Sequence, residues 1–151
     1  MAPHPAKVGV HSGMTDIYAE GGNYCIELDA GVAYCRVWAR PDLDSAAGAR
    51  FALEKVRHLE ALSLGAARGM VLDLSAAPPV AGPSTQASLG QMLSSWERAK
   101  RPIAVVGGSN QIQLLQLRRL VASHAPGYGS LFTELPAART WLLGFGSVSH
   151  S

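Results

Sequence analysis

MVLDLSAAPPVAGPSTQASLGQMLSSWERAKRPIAVV, residues 70–106, reads as strand, irregular loop, amphipathic helix and strand. Met70 to Leu74 is a short apolar run of the length expected for a strand buried on both faces. Ser75 to Pro83 then breaks every regular period, because Pro78, Pro79, Gly82 and Pro83 neither continue a ladder nor sit inside a helix. Pro83 suits the first helical position, where its missing N–H is no loss, and Gly82 becomes the expected cap. Leu89, Met92, Leu93, Trp96 and Ala99 recur at spacings of three and four, which puts one apolar stripe on the helix. Gln91, Ser95, Arg98 and Lys100 then face water. The chain returns at once to an apolar strand, Ile103 to Val106. Such a unit is a parallel crossover, expected at the middle of the fold.

Upstream, Tyr24, Ile26 and Leu28 alternate with Cys25 and Glu27, and Val32 to Ala39 continues in a β-rich run. With Asp29, Ala30 and Gly31 between them, the two runs predict an antiparallel hairpin. If Leu28 pairs with Val32, Cys25 lies opposite Cys35; a slip of one residue puts the two thiols on opposite faces. Asp44 or Ser45 caps the next helix, which runs to about Leu64 with Ala49, Leu53, Val56, Leu59 and Leu62 inside. Glu54, Lys55, Arg57, His58 and Glu60 are expected outside, and Gly65 stops the helix. Downstream, Gly107 to Asn110 precedes a helix over 111–124 whose wide apolar face holds Ile112, Leu114, Leu115, Leu117, Leu120 and Val121. Leu131 to Thr133 adds a short strand and Pro136 to Leu143 a closing helix. The arm 1–22, in which Ile17 and Tyr18 can form a short edge strand, and the tail 144–151 are rich in glycine, proline or serine and are read as flexible, leaving 23–143 as the domain. The fold class is α/β: an N-terminal β-hairpin followed by βαβ crossovers, a mixed sheet packed by about four helices.

A chain of 151 residues with formal charge +2 is one domain without the electrostatic footprint of a nucleic-acid or acidic-membrane binder. No apolar run reaches the roughly 18 to 20 residues of a membrane span, and 1–13 lacks the apolar core of a signal peptide, which points to the cytoplasm. In a reducing cytosol, Cys25 and Cys35 read as small strand residues; a redox-sensitive or metal-binding pair is the alternative, without a further Cys or nearby His to complete a ligand set. No cofactor is implied. Catalytic patterns are missing too: no Ser-His-Asp order in an elbow, no HExxH, no paired carboxylates in one loop. Asp73, ending a buried strand, is suited to anchoring the next loop by accepting backbone bonds. Gly82 and the run Gly107, Gly108, Ser109 and Asn110 form a candidate anion or partner loop, since glycines admit close approach and helix amides receive anions. Asn110 also serves as a plain helix cap.

The segment Leu72-Asp73-Leu74-Ser75, a loop of fixed length, a helix near Pro83 and the strand Ile103–Val106 resemble the STAS family, the sulphate transporter and anti-sigma factor antagonist domains, over about Asn23 to Leu143. In register, the family's Asp-Ser pair falls on Ala81 and Gly82, so its phosphorylatable serine is not matched. Ser84 and Thr85 follow on the first helical turn, where a phosphate would meet unpaired amides and the positive end of the helix dipole. The resemblance implies a non-catalytic regulatory or scaffold module that binds a protein, such as a kinase-like anti-sigma factor or another signalling protein. It also implies that the helices over 83–99 and 111–124 flank the partner surface, making Arg98, Arg118 and Arg119 candidate contacts. The alternatives are a small-molecule or lipid binder of the same fold, which would hold its ligand between helices and sheet, and a self-assembling homo-oligomeric subunit.

Overall fold

The computed structural model describes residues 15–77 and 83–145. In chain order the elements are β1 (Thr15–Gly21), β2 (Tyr24–Asp29), β3 (Val32–Trp38), α1 (Ser45–Ser63), β4 (Gly69–Ala76), α2 (Pro83–Ala99), β5 (Ile103–Val106), α3 (Gln111–His124), β6 (Gly129–Phe132) and α4 (Leu135–Gly144). The six strands lie in one sheet in the order β1-β2-β3-β4-β5-β6, antiparallel from β1 to β3 and parallel from β3 onward. The sheet starts earlier than the sequence suggests: Thr15–Gly21, read as part of an arm, pairs with β2 as an edge strand. The remainder of the arm, the tail from 146 and Gly82 lie outside the described residues.

Each crossover steps one strand further in the same direction, and the right-handed rule then puts α1, α2 and α3 on one face. There Val56, Leu59 and Leu62 of α1, Met92, Leu93 and Trp96 of α2, and Leu117 and Val121 of α3 close on Ile26, Cys35, Leu72 and Val105. The apolar stripe of the central helix is as its spacing predicts, with Trp96 fully buried, but Ser95, expected in water, is buried against α1 and satisfies its hydroxyl on Gln91 O at 3.1 Å and Glu60 Oε2 at 3.3 Å. On the other face α4 sets Ala138 and Leu142 against Val32, Val71, Ala104 and Val106. Two covered faces explain why Met70, Val71 and Leu72 are all buried, although their side chains alternate.

The hairpin takes the slipped register. Asp29 pairs with Val32, Ile26 with Cys35, and Cys25 with Arg36, so the two thiols occupy opposite faces. The cause is a two-residue turn with φ of 54° at Ala30 and 81° at Gly31, the left-handed pair that matches strand twist. α1 is rolled relative to its expected stripe. Leu53 is 49% exposed and Ala49 lies in solvent. Lys55 and Glu54, expected outside, are half-buried, and Glu54 accepts a hydrogen bond from the Tyr24 hydroxyl at 3.2 Å. Asp44 caps α1 through Ala47 N at 2.7 Å.

Two arginines tie the connections down. Arg101, at the end of α2, donates from Nη1 to the carbonyls of Leu62, Gly65 and Ala67 at 3.2, 2.8 and 2.6 Å, so it fastens the end of α1. Lys100 makes this possible by turning the chain with φ of 58°, while Arg101 N reaches Trp96 O and Lys100 N reaches Glu97 O. Arg40, after β3, grips Asp42 with Nε and Nη2 at 2.7 and 2.6 Å and gives Nη1 to Gly22 O. That fork holds the Asp42 carboxyl down at about 2.

Glycine adopts a left-handed backbone without a Cβ clash, so Lys100→Gly should raise stability by about 0.5–1 kcal/mol in urea unfolding. A depressed carboxyl stabilises the fold above its unfolded value and loses that contribution as pH falls through the folded one. Stability should therefore drop between pH 3.8 and about 2 in part through Asp42, and Asp42→Asn should flatten that limb of an acid titration followed by circular dichroism.

Candidate functional site

β4 and β5 both end at the rim where α2 and α3 begin, the edge at which open α/β sheets present residues to ligands and partners. At the end of β4, Asp73 Oδ1 accepts from Ser75 N at 3.0 Å and from Ser75 Oγ at 2.6 Å, the anchoring role its position predicts. At the end of β5, Gly107 N donates to Phe132 O at 2.9 Å and Gly108 N to Gln113 Oε1 at 2.8 Å. Asn110 caps α3, its Oδ1 accepting from Gln113 N at 2.9 Å.

Gln113, a polar residue, is buried, 6% exposed. Its Nε2 donates to Leu74 O at 3.2 Å while its Oε1 holds Gly108 N, so one side chain braces the end of β4, the glycine loop and α3. The glycines serve that close packing. A Cβ at Gly108 would stand 3.1 Å from Ser75 O, and one at Gly107 would stand 2.7 Å from Leu114 Cδ2. With the amides of Gly107 and Gly108 already bonded, those two donors are not open to an anion; Ser109 and Asn110 project at the surface beside them.

The exposed part of the rim comes from the helix starts. Thr85 is exposed on the first turn of α2; Ser84 precedes it in the same turn, and its side chain is outside the described residues. On α3, Ile112 is 58% and Leu115 47% exposed, although the sequence places both in the buried face. α2 and α3 pack side by side, so these side chains share one edge of the molecule with the glycine loop. A signal for this was present. Six large apolar residues within ten positions of α3 are more than one stripe can bury, and the surplus is at its start.

The candidate arginines do not converge. Arg118 lines a surface cleft of about 320 Å³ with Leu114, Leu131, Phe132 and Glu134, and Arg119 projects into solvent one position on. Arg98 is at the far end of α2, about 20 Å along its axis from Thr85, and donates to Ser95 Oγ at 3.3 Å. Both cysteines are free thiols, and burial pushes Cys35 up to about 12. Lys55 is shifted down by burial on the same side of the sheet. Among the described residues no group of His, Cys, Asp and Glu is arranged to hold a metal, and no helix is long and apolar enough to cross a membrane. Between the three helices and the sheet the space is filled by Trp96, Met92, Leu72 and their neighbours, and the Arg118 cleft lies outside that layer.

No family model matches the sequence, and no curated protein matches it significantly. Among solved structures, the fold is similar to the crystal structure of an anti-sigma factor antagonist from Mycobacterium paratuberculosis, with a TM-score of 0.57 and 18% identity over 80% of this chain and 92% of that one. At that identity the likeness fixes the fold, which is α/β and STAS-like, as the segment from Leu72 to Ser75 implies.

Gln113→Leu should leave the Gly108 amide without its partner and take from the Leu74 carbonyl one of its two donors, the Ala77 amide remaining at 3.0 Å. The expected cost is about 2–3 kcal/mol in urea unfolding, with faster hydrogen exchange at Gly108.

Proposed function

We propose that this domain is a non-catalytic regulatory module of the cytoplasm that binds a protein partner through the rim formed by the starts of α2 and α3. The observation that carries the reading is the pair Ile112 and Leu115, large apolar side chains standing in solvent beside the exposed first turn of α2. Isolated apolar residues on a surface need no explanation, but two on successive turns of one helix, next to a braced loop, make a patch of the kind partners cover. The fold it shares with an anti-sigma factor antagonist supports a signalling role, and the partner class that fits is a kinase-like anti-sigma factor or another signalling protein. Arg119 sits one turn beyond Leu115 on the same helix and fits the polar margin of such a contact; Arg98, at the opposite end of α2, does not.

Regulation would enter at Ser84 or Thr85. A phosphate there adds close to two negative charges at the positive end of the α2 dipole, in the middle of the contact region. It would stay attached to its own helix end while repelling an acidic partner surface or recruiting a basic one. The matched position of the family's serine, Gly82, carries no hydroxyl, so control by phosphate in this chain depends on those two residues.

Affinity capture from the native cell with the intact chain should recover one protein in stoichiometric amount. Ile112→Asp combined with Leu115→Asp should weaken that complex by about thirtyfold or more, the size of a lost central contact, without shifting the thermal midpoint downward. Equal binding by the double variant, or turnover of a small substrate by the isolated domain, would remove the basis of the reading.

A further inference from the structure

The formal charge of +2 averages over a surface on which the charges are sorted by side. On α1, α2 and α3 the exposed charged residues are Arg50, Arg57, Arg98, Arg118 and Arg119, and Lys100 follows directly after α2. The three acids of these helices are half-buried and engaged. Glu54 accepts from the Tyr24 hydroxyl, Glu60 from Ser95 Oγ at 3.3 Å, and Glu97 from the amides of Gly127 and Tyr128 at 3.1 and 2.8 Å. The exposed acids lie elsewhere: Asp16 and Glu20 on β1, Asp42 and Asp44 before α1, where Asp44 is bonded as its cap, and Glu134 before α4. Among the described residues, the outward side of the helical layer is therefore basic and carries no exposed acid.

α1 supplies an apolar part to the same side. Its roll turns outward Ala49 and Leu53, which the sequence assigns to the core, and with them Ala46, Ala61 and Leu64. At about 100° per residue, Arg50, Leu53, Arg57 and Leu64 fall within about 60° of one another, so cations and leucines share one stripe. Leu53 is 49% and Leu64 80% exposed. At a rise of about 1.5 Å per residue the two stand about 16 Å apart, with Arg57 between them.

A protein interface buries an apolar centre inside a polar rim, whereas these leucines are separated by a guanidinium and form no centre. A second copy docked through the same face would set arginine against arginine. A bilayer requires neither a centre nor a matching contour: each leucine enters the headgroup boundary by itself while arginines beside it reach the phosphates. We propose that the outward side of α1 and the end of α2 lie on an anionic phospholipid surface, with Leu53 and Leu64 inserted and Arg50, Arg57, Arg98 and Lys100 among the phosphates. α2 packs between α1 and α3, which puts Ile112 and Leu115 two helix widths or about 20 Å from that stripe, so the contact does not use the partner rim.

The test is co-flotation of the intact chain with vesicles of phosphatidylcholine alone and of phosphatidylcholine with about 30 mol% phosphatidylglycerol, at about 0.1 M and about 0.5 M sodium chloride. Binding to the anionic vesicles at the lower salt should be about tenfold tighter than to the neutral ones, and should fall about tenfold at the higher salt. Arg57→Gln with Arg98→Gln, and Leu53→Ser with Leu64→Ser, all at exposed positions, should each weaken it about tenfold while circular dichroism shows an unchanged fold. Equal binding to both vesicles, no binding to either, or full binding by either double variant would overturn the proposal. Poly-L-glutamate bound as tightly as the anionic vesicles would assign the face to acidic proteins and overturn it as well.

Discussion

The constraint on which this molecule depends is that its strands are ordered in space as they are in sequence. Three right-handed crossovers that all advance in one direction have to place their helices on the same face. That face becomes the main core, and among the described residues the opposite face is covered by one helix, α4. Coverage then dictates composition. β4 and β5, sandwiched between helices, are apolar at nearly every position, whereas β2 and β3 alternate, sending Ile26, Ala33, Cys35 and Val37 inward and Glu27, Tyr34 and Arg36 to the open side. The change from parallel to antiparallel pairing at β3 coincides with the change from two covered faces toward one.

Within the core, apolar packing does most of the stabilising and polar groups do the specifying. Trp96 fills the space beneath α2, and the cost of leaving its indole N–H without a partner among the described residues, about 1–3 kcal/mol, is offset by burying one of the largest side chains in the chain. Gln113 and Arg101 work differently. Each satisfies backbone groups at the end of an element that apolar contacts do not reach, and each connects parts of the chain more than thirty residues apart. Burying either is unfavourable unless all its bonds are made, so each favours one arrangement of the loops over its neighbours.

How much of this was legible follows from where each decision is made. The crossover around α2 could be read from the chain because its information is local: an apolar run, a proline break, a stripe at helical spacing and a second apolar run. Asp44 and Asn110 as caps are local in the same sense. The hairpin register was not. It turns on whether the connection has two residues or three, and the backbone of Ala30, a residue without a strong preference for positive φ, makes that choice. The roll of α1 was also hidden, because its leucines and alanines are compatible with several faces until the bare edge of β1 and β2 draws Phe51 onto Gly22. At the rim, Asp73 was legible as an anchor. Gln113 was not, since a polar side chain in a helix looks the same whether it meets water or the carbonyl of Leu74.

The same reasoning separates the apolar rim from the charged face of β2 and β3. On the rim, apolar residues are exposed where the sequence calls for burial, and a loop beside them is rigidly braced; a surface of that kind gains from being covered by another apolar surface. On the open sheet face the exposed groups are charged and already comfortable in water, so covering them with an apolar partner would cost desolvation without an equal return. The asymmetry of the sheet thus sorts its exposed groups by chemistry: an apolar rim suited to a protein surface, and a charged strand face suited to water.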